Sequence, residues 1–137
     1  MQYDNLPKVL RDRGKFCTWK YEERQGQEKP AKVPYHINGN RAQPNNEKTF
    51  TDYAAALAVM NKYDGLEIGI FKGFSAIDID HCIDEDETLS ALSEAIVDLF
   101  DGCYIEKSPS GKGLRILFKA SDFKYNTNKY YMPHIFL

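Results

Sequence analysis

The sequence predicts an α+β fold in which a mainly antiparallel sheet carries helices, and two observations lead to this class. Short runs of apolar and β-branched residues alternate with Gly, Pro and Asn turns, which is typical of antiparallel strands. Three other segments repeat apolar residues at intervals of three and four, the spacing of a helix with one buried face. With 137 residues and 42% hydrophobic content, the chain can bury a core, and we expect one domain over residues 1–137.

The N-terminal part predicts a short helix and two strands. The helix has Asn5 as its N-cap and is expected to end at Gly14, and residues 16–21 form the first strand. A turn leads into a second extended segment over residues 31–37. Pro34 lacks a backbone donor, so this segment is expected at a sheet edge or in a loop.

The middle of the chain predicts a helix and a β-hairpin. The helix begins near Thr51 and ends at Gly65. Residues 66–70 then alternate as a strand, and a turn at Gly73 is expected to return the chain antiparallel into the strand that ends at Asp80.

A third helix and a second hairpin are expected in the last third. The apolar positions of the helix are Leu89, Leu92, Ile96, Val97 and Phe100. Gly102 is expected to close it. Residues 103–107 and 114–119 predict two strands, and residues 108–113 predict the tight loop between them.

Composition limits the classes of function. A net charge of −2 excludes a global positive field for nucleic acid, although basic residues flank an acidic centre at residues 78–87. The three widely spaced cysteines favour neither a disulfide framework nor a zinc site. No apolar run approaches the length of a membrane span, and no signal peptide is evident. We therefore expect a cytoplasmic protein that does not bind membranes.

Asp78 and Asp80 form the first candidate site. Side chains alternate along a strand, so these carboxylates would share one face, and Ile77 and Ile79 would point to the other. Their Cα atoms would be roughly 6.5–7 Å apart, and two carboxylates at this separation can chelate one divalent cation or bridge two. The alternative is a strand that ends in two solvated acids.

The loop between the last two predicted strands is the second candidate site. Gly111 and Gly113 permit backbone conformations that point successive N–H groups inward, toward an anion. Ser110 adds a hydroxyl donor, Lys112 a positive charge and Arg115 a bidentate fork for phosphate. The Walker A pattern is absent. The alternative is an ordinary β-hairpin turn.

Other titratable residues have structural explanations. Strand alternation turns His81 away from the acids, so we expect it to be packed or hydrogen-bonded. Residues 84–87 precede the third helix, where carboxylates cap the first turn and interact favourably with the helix dipole. Glu106 precedes the loop and either faces the site or pairs with a lysine.

Four segments in this order resemble the phage and plasmid primase–polymerases of the archaeo-eukaryotic primase superfamily, over a stretch from about Pro7 to Phe118. The segments are Lys32-Val33-Pro34-Tyr35, residues 45–53 with Thr49-Phe50, Ile77-Asp78-Ile79-Asp80-His81-Cys82-Ile83-Asp84, and Ile105-Glu106-Lys107-Ser108-Pro109-Ser110-Gly111-Lys112-Gly113-Leu114-Arg115.

The resemblance implies a fold, a chemistry and site residues. The fold is an RRM-like primase–polymerase core with an N-terminal α/β unit. The chemistry is nucleotidyl transfer in DNA replication or priming, with Asp78 and Asp80 as catalytic residues that hold Mg²⁺ or Mn²⁺. The family's Ser-Gly-x-Gly-x-His motif binds the phosphates of the incoming nucleoside triphosphate. The corresponding residues here are Ser110, Gly111, Gly113 and Arg115, and Lys112, at a variable position of the motif, is a nucleotide-binding candidate because of its charge.

Two departures from the family pattern matter. Position 115 is Arg where the family has His, which keeps a positive charge but removes a titratable group. The family's third acidic motif has no match in residues 129–137, and Glu106 and Asp122 are poor substitutes for it. We therefore expect the front portion of a primase–polymerase domain, incomplete at its C-terminus, with weak or no activity alone and with a sheet edge open to self-association.

Two functions remain open at this stage. In the first, the partners are a nucleoside triphosphate, DNA or an RNA primer, and a replicative helicase. In the second, the chain is a non-catalytic remnant of the same fold, a phage protein that binds nucleic acid or inhibits a host defence nuclease, as anti-CRISPR proteins do. The intact acids and loop favour the first function, and the unmatched third motif favours the second.

Overall fold

The computed structural model describes residue 3, residues 5–71 and 73–119, and the backbone of residues 134–136. It confirms the predicted α+β class, because helices are present and the strands pair antiparallel in two sheets. The elements are α1 (Lys8–Arg13), β1 (Lys15–Glu22), β2 (Ala31–Tyr35), α2 (Tyr53–Val59), β3 (Gly65–Gly69), β4 (Phe74–Ile79), α3 (Ala91–Leu99), β5 (Tyr104–Lys107), β6 (Leu114–Lys119) and β7 (His134–Phe136).

The chain divides into two compact units, each with its own sheet. The first unit comprises Met1–Phe71 and Tyr130–Leu137, and the second comprises Lys72–Lys129. The strand order is β2-β1-β3-β7 in the first unit and β4-β6-β5 in the second. The single domain expected from the length of the chain, and the RRM-like core implied by the resemblance, remain predictions.

The predicted hairpin between β3 and β4 is wrong. β3 pairs with β1 on one side and with β7 on the other, whereas β4 pairs with β6. Both hydrogen-bonding edges of β3 are therefore occupied, so β4 has no edge of β3 on which to pair. No strand was predicted from the sequence at β7, which is the second of these neighbours.

The predicted edge position of the second strand is confirmed. β2 is the outer strand of the first sheet, and Pro34 lies opposite Trp19 of β1. Proline removes one donor from a ladder, and an outer strand tolerates this loss because, among the described residues, only one of its edges pairs with another strand of the sheet.

The core of the first unit forms around β1 and β3. Phe16, Leu66 and Ile68 are fully buried. The indole of Trp19 donates a hydrogen bond of 2.9 Å from Nε1 to the carbonyl of Leu66. A Cβ atom at Gly65 would come within 2.7 Å of this indole, so only glycine leaves room for Trp19.

The first two helices begin with different caps. α1 starts after Pro7 and not, as predicted, after Asn5. Pro7 is the N-cap, and its carbonyl accepts the first hydrogen bonds of the helix, from the N–H groups of Leu10 and Arg11 at 3.0 and 3.1 Å. α2 begins after Asp52, whose side chain accepts a hydrogen bond of 2.8 Å from the N–H of Ala55.

The start of α3 corrects another prediction. Its N-cap is Ser90, whose hydroxyl accepts a hydrogen bond of 3.2 Å from the N–H of Ser93. Residues 84–87 therefore do not cap this helix. The carboxylate of Asp84 instead accepts two hydrogen bonds, each of 2.9 Å, from backbone N–H groups of its own turn. Ser90 caps the helix in place of residues 84–87 because it lies directly before the helix, where its hydroxyl reaches the N–H groups of the first turn.

Apolar residues of the second unit cluster around one face of its sheet. The cluster contains Cys82, Ile83 and Leu114, with Ile79, Leu89, Val97 of α3 and Ile105 packed against it. Leu92, one of the apolar positions that predict α3, is 69% exposed and lies outside this cluster.

Candidate functional site

One face of the second sheet carries a row of charged residues across its three strands. Asp78 on β4 lies directly opposite Arg115 on β6, and Arg115 lies directly opposite Glu106 on β5. Directly opposite residues point to the same side of an antiparallel sheet, with Cβ atoms about 4.5–5.5 Å apart. The adjacent positions Ile79 and Leu114 point to the other side and join the apolar cluster. We call Asp78, Arg115 and Glu106 the charged row.

Asp78 and Arg115 form a buried ion pair. The Nε atom of Arg115 lies 3.4 Å from Oδ1 of Asp78, and the side chains are 7% and 11% exposed, respectively. Removing one member of such a pair costs about 3–5 kcal/mol of folding free energy, because the other charge stays buried without compensation. The alternative of a solvated strand end therefore does not apply to Asp78.

Glu106 occupies the other side of Arg115. Burial raises the pKa of Glu106, whereas a hydrogen bond from Tyr104 and the positive charge of Arg115 act in the opposite direction. The Tyr104 hydroxyl donates this bond to Oε2 at 2.6 Å. Burial, and to a smaller extent the contact with Glu106, also raises the pKa of Tyr104. The sequence allowed Glu106 either to face the candidate site or to pair with a lysine, and the structure shows that it faces the site.

Asp80 does not share a strand face with Asp78. β4 ends at Ile79, and Asp80 lies exposed in the turn that follows, so the predicted alternation stops before it. His81 is also exposed, and its φ of 51° places it in the left-handed region. Of the two alternatives expected for His81, a packed side chain is therefore wrong, because the strand ends before this residue, and a hydrogen-bonded one stays a prediction.

The loop between β5 and β6 is closed by its own hydrogen bonds. Ser108 accepts two of them: its carbonyl accepts from the N–H of Gly111 at 2.8 Å, and its hydroxyl accepts from the N–H of Gly113 at 3.0 Å. The N–H of Ser108 donates to the carbonyl of Gly113 at 2.9 Å, and the N–H of Lys112 donates to the Ser110 hydroxyl at 3.3 Å. In this conformation these N–H groups donate to acceptors within the loop, as in an ordinary hairpin turn.

This loop contacts the segment that follows Asp80. The N–H groups of Cys82 and Ile83 both donate to the carbonyl of Lys112, at 2.9 and 3.1 Å. A Cβ atom at Gly113 would come within 2.8 Å of the carbonyl oxygen of Ile79, so glycine permits this close approach. The two candidate sites, distant in the sequence, are therefore side by side in the second unit.

The described arrangement does not fit a bound divalent ion. The carboxylate of Asp78 is paired with Arg115, and Asp80 lies beyond the end of the strand. Within the part of the chain that the structure describes, no three His, Cys, Asp or Glu residues are grouped as a metal site requires. Asp122, one of the poor candidates for a third acid, lies outside the described residues.

Two polar residues were not predicted from the sequence, the half-buried Tyr104 and the fully buried Glu67. Tyr104 was detectable in principle, because it stands two positions before Glu106 on a predicted strand and alternation places both on one face. Glu67 gave no such signal. It is fully buried in β3 of the first unit, where its Oε2 accepts a hydrogen bond of 3.2 Å from Sγ of Cys17.

The chain matches no protein-family model and no curated protein. Among the helices of the described residues, none is both long and apolar enough to cross a membrane. The functional conclusion therefore depends on the charged row, the neighbouring loop and the motifs that they contain.

Proposed function

We propose that this chain is a nucleotide- and divalent-metal-binding module of the primase–polymerase type, with nucleotidyl transfer in DNA replication or priming as its chemistry. The observation that carries the proposal is the ion pair between Asp78 and Arg115 on adjacent strands, beside the loop between β5 and β6. It joins an acidic motif to a candidate phosphate-binding motif within one sheet. The proposed setting is the host cytoplasm, with a phage, prophage or plasmid as the source and with weak or no activity of the chain alone.

In this proposal the loop and Arg115 bind the triphosphate. Lys112 is exposed and offers a point charge, whereas Arg115 offers a planar fork that matches two phosphate oxygens. Rotation of the exposed Ser110 side chain frees the N–H of Lys112 for a phosphate oxygen. Each charge-assisted contact contributes about 1.5–3 kcal/mol to binding.

The metal ligands that the resemblance implies are Asp78 and Asp80, although in the described arrangement Asp78 is paired with Arg115. Mg²⁺ or Mn²⁺ held by these two residues would supply positive charge for the phosphates. Asp80 is already accessible, because it is exposed in the turn after β4. Asp78 becomes accessible only if Arg115 leaves it, since their side chains form a buried pair.

A titration with a nucleoside and with its mono-, di- and triphosphate tests the proposal. The affinity should rise with the number of phosphates, and Arg115→Ala should weaken binding of the triphosphate by about ten- to hundredfold, the loss of one charge-assisted contact. Lys119→Ala is the matched control, because it removes an exposed positive charge from the end of the same strand. An affinity that does not depend on phosphate number would instead support the ordinary hairpin turn.

A second candidate function is favoured by the outer surface of α3. Leu92 and Leu99 are 69% and 81% exposed and lie seven residues apart, on one side of the helix. Residues 73–106 contain ten acidic residues and no Lys or Arg. Charge complementarity selects a partner with a basic surface, such as the nucleic-acid-binding groove of a host nuclease.

Inhibition assays separate this second candidate from the first. The purified chain is added to cleavage reactions of host defence nucleases, together with the variants Leu92→Ser/Leu99→Ser and Asp78→Asn. Inhibition that survives Asp78→Asn but is lost in the double leucine variant would support the non-catalytic function. If none of the proteins inhibits a nuclease and the wild-type chain binds the triphosphate, the result would contradict the second function and support the first.

A further inference from the structure

We infer that the outer surface of α3 is a docking surface for one amphipathic helix of a partner protein, with Lys or Arg along one flank of that helix. The inference rests on the second candidate function, because that function assigns a protein partner to this surface. It goes further by naming the structural element of the partner that binds and the charge that this element carries.

α3 has two apolar sides, and only one of them packs against the apolar cluster of the second unit. Ser93 is fully buried and Val97 packs against that cluster, so these residues mark the side that faces the sheet. Leu92 and Leu99 are more exposed than any other large apolar side chain of the described residues. A helix that buries one side needs no second apolar stripe to fold, and contiguous exposed apolar surface marks a site of interaction.

The exposed side has the shape of a helix-packing surface. Leu92 and Leu99 stand seven residues apart, about 10.5 Å along the helix axis, and Ala95 and Ile96 lie between them on the same side. Ala91 and Ala95 are exposed and form a strip of small side chains beside the leucines. This strip is a shallow groove beside a leucine ridge, and the side-chain ridge of another helix packs into such a groove.

Two carboxylates border this groove on the side away from the leucines. Glu94 and Asp98 are exposed and lie four residues apart, so they form one row beside the alanine strip. We call this pair the acidic flank. α3, which is described over its whole length, contains no Lys or Arg that neutralises it. A basic residue on the flank of a partner helix therefore pairs with it and fixes the orientation of that helix.

Other known modes of peptide recognition do not fit α3. An extended peptide binds the free N–H and C=O groups of a sheet edge, and inside a helix these groups are already hydrogen-bonded to each other. A polyproline segment docks between aromatic rings, whereas the exposed apolar residues of α3 are Leu and Ala. A docked helix instead contacts apolar residues at intervals of three, four and seven, which is the spacing of Leu92, Ala95, Ile96 and Leu99.

A peptide display library tests the inference without a known partner. Random peptides of about four helical turns are selected on the wild-type chain and counter-selected on Leu92→Gln/Leu99→Gln. The peptides that remain should repeat apolar residues at helical spacing, carry Lys or Arg beside them, and become helical on binding, as measured by circular dichroism. If no peptide remains, or if the remaining peptides lack this pattern, the inference is overturned.

The counter-selection needs a folded variant, and its folding is measured separately. Glutamine is a good helix former, and exposed leucines contribute little to the core, so Leu92→Gln/Leu99→Gln should unfold in urea as wild type does. Its affinity for the selected peptides should fall by about tenfold or more, because two apolar anchors are lost.

The acidic flank is tested with the same peptides. Glu94→Gln/Asp98→Asn should weaken binding by about three- to tenfold at low salt and reduce the effect of added salt on the affinity. Glu23→Gln/Glu28→Gln is the matched control, because it removes two exposed carboxylates from the first unit and changes the net charge equally. Equal affinities of the two double variants would contradict the pairing of the acidic flank with a basic helix.

These outcomes are distinguishable from those of the proposed functions. If the peptides bind as described but no defence nuclease is inhibited, the helix-docking surface stands with a different partner protein, and nuclease inhibition is contradicted. If a nuclease is inhibited through the two leucines but no leucine-dependent helical peptide is selected, the inference is overturned and the second function stands. Neither result depends on the binding of a nucleoside triphosphate.

Discussion

The hydroxyl of Tyr104 donates a hydrogen bond of 2.6 Å to Glu106, two residues further along β5. This pair forms one end of the charged row, and the ion pair of Asp78 with Arg115 forms the other. Burial favours the protonated form of Glu106, whereas Tyr104 and Arg115 favour the ionised form, and burial is the largest of the three effects. The pKa of Glu106 is therefore higher in the folded protein than in the unfolded chain.

Glu106 should make the stability of the protein depend on pH. Its pKa is raised in the folded state, so the folded protein binds this proton more tightly than the unfolded chain does. The contribution to the free energy of unfolding is therefore complete below the ordinary pKa and is lost as the pH rises through the raised pKa. Urea unfolding between about pH 4 and pH 8 should show this fall in wild type and a smaller one in Glu106→Gln.

The control for this experiment is Glu94→Gln, which removes an exposed carboxylate from α3. It should keep the wild-type dependence of stability on pH. If the free energy of unfolding depends on pH in the same way in Glu106→Gln and in Glu94→Gln, the burial of Glu106 does not cause the pH dependence of stability.

The three thiols should react at different rates. Burial, together with the negative charge of Glu67 and the hydrogen bond to it, raises the pKa of the Cys17 thiol. Only the thiolate reacts quickly with alkylating agents, and Cys17 is fully buried, whereas Cys103 is exposed. Iodoacetamide should label Cys103 in the folded protein and all three cysteines in denaturant. Rapid labelling of folded Cys103→Ser, located by mass spectrometry at Cys17, would contradict this prediction.

Substitutions of Asp78 and Arg115 should have strongly coupled effects on the free energy of unfolding. Asp78→Asn and Arg115→Gln each remove one charge and leave the other buried, so each should lower the free energy of unfolding by about 3–5 kcal/mol. The double variant removes both charges and should lose less than the sum of the single changes. Urea unfolding of the four proteins at one pH measures the coupling. Additive losses would show that the two side chains do not interact.

The chain alone should not extend a primer at a useful rate. Asp78 is held by Arg115, and the described residues contain no group of three metal-ligating side chains. Each 1.36 kcal/mol of lost transition-state stabilisation lowers the rate by about tenfold, and an incomplete set of ligands costs several such steps. Primer extension and de novo synthesis with Mn²⁺ and the purified chain measure this directly. Template-dependent synthesis that Asp78→Asn abolishes would contradict the prediction.

Local rules predict much of this fold because they act over a few residues. Pro34 lacks a donor wherever the strand lies, and the sequence therefore predicts a sheet edge or a loop, of which β2 occupies the sheet edge. The segment over residues 108–113 contains the turn-forming residues that a loop between two strands needs, and it forms such a loop. Strand alternation likewise places Ile79 in the apolar cluster and Asp78 on the opposite face.

Rules of this kind fail where the outcome depends on distant partners. The expected hairpin of β3 with β4 is absent because β1 and β7 already occupy both edges of β3. The predicted pairing of Asp80 with Asp78 on one face assumed a longer strand than β4, which ends at Ile79.

The sequence by itself determined the α+β class, the acidic motif at Asp78 and the loop that precedes Arg115, since each depends on residue types at short spacing. Only the tertiary structure decided that Asp78, Arg115 and Glu106 form one row. Periodicity states which side of a strand a residue faces, but the neighbour across the sheet depends on strand order and register. Asp78 is consequently paired with the protein's own cation, a relationship created by strand pairing across a long stretch of chain.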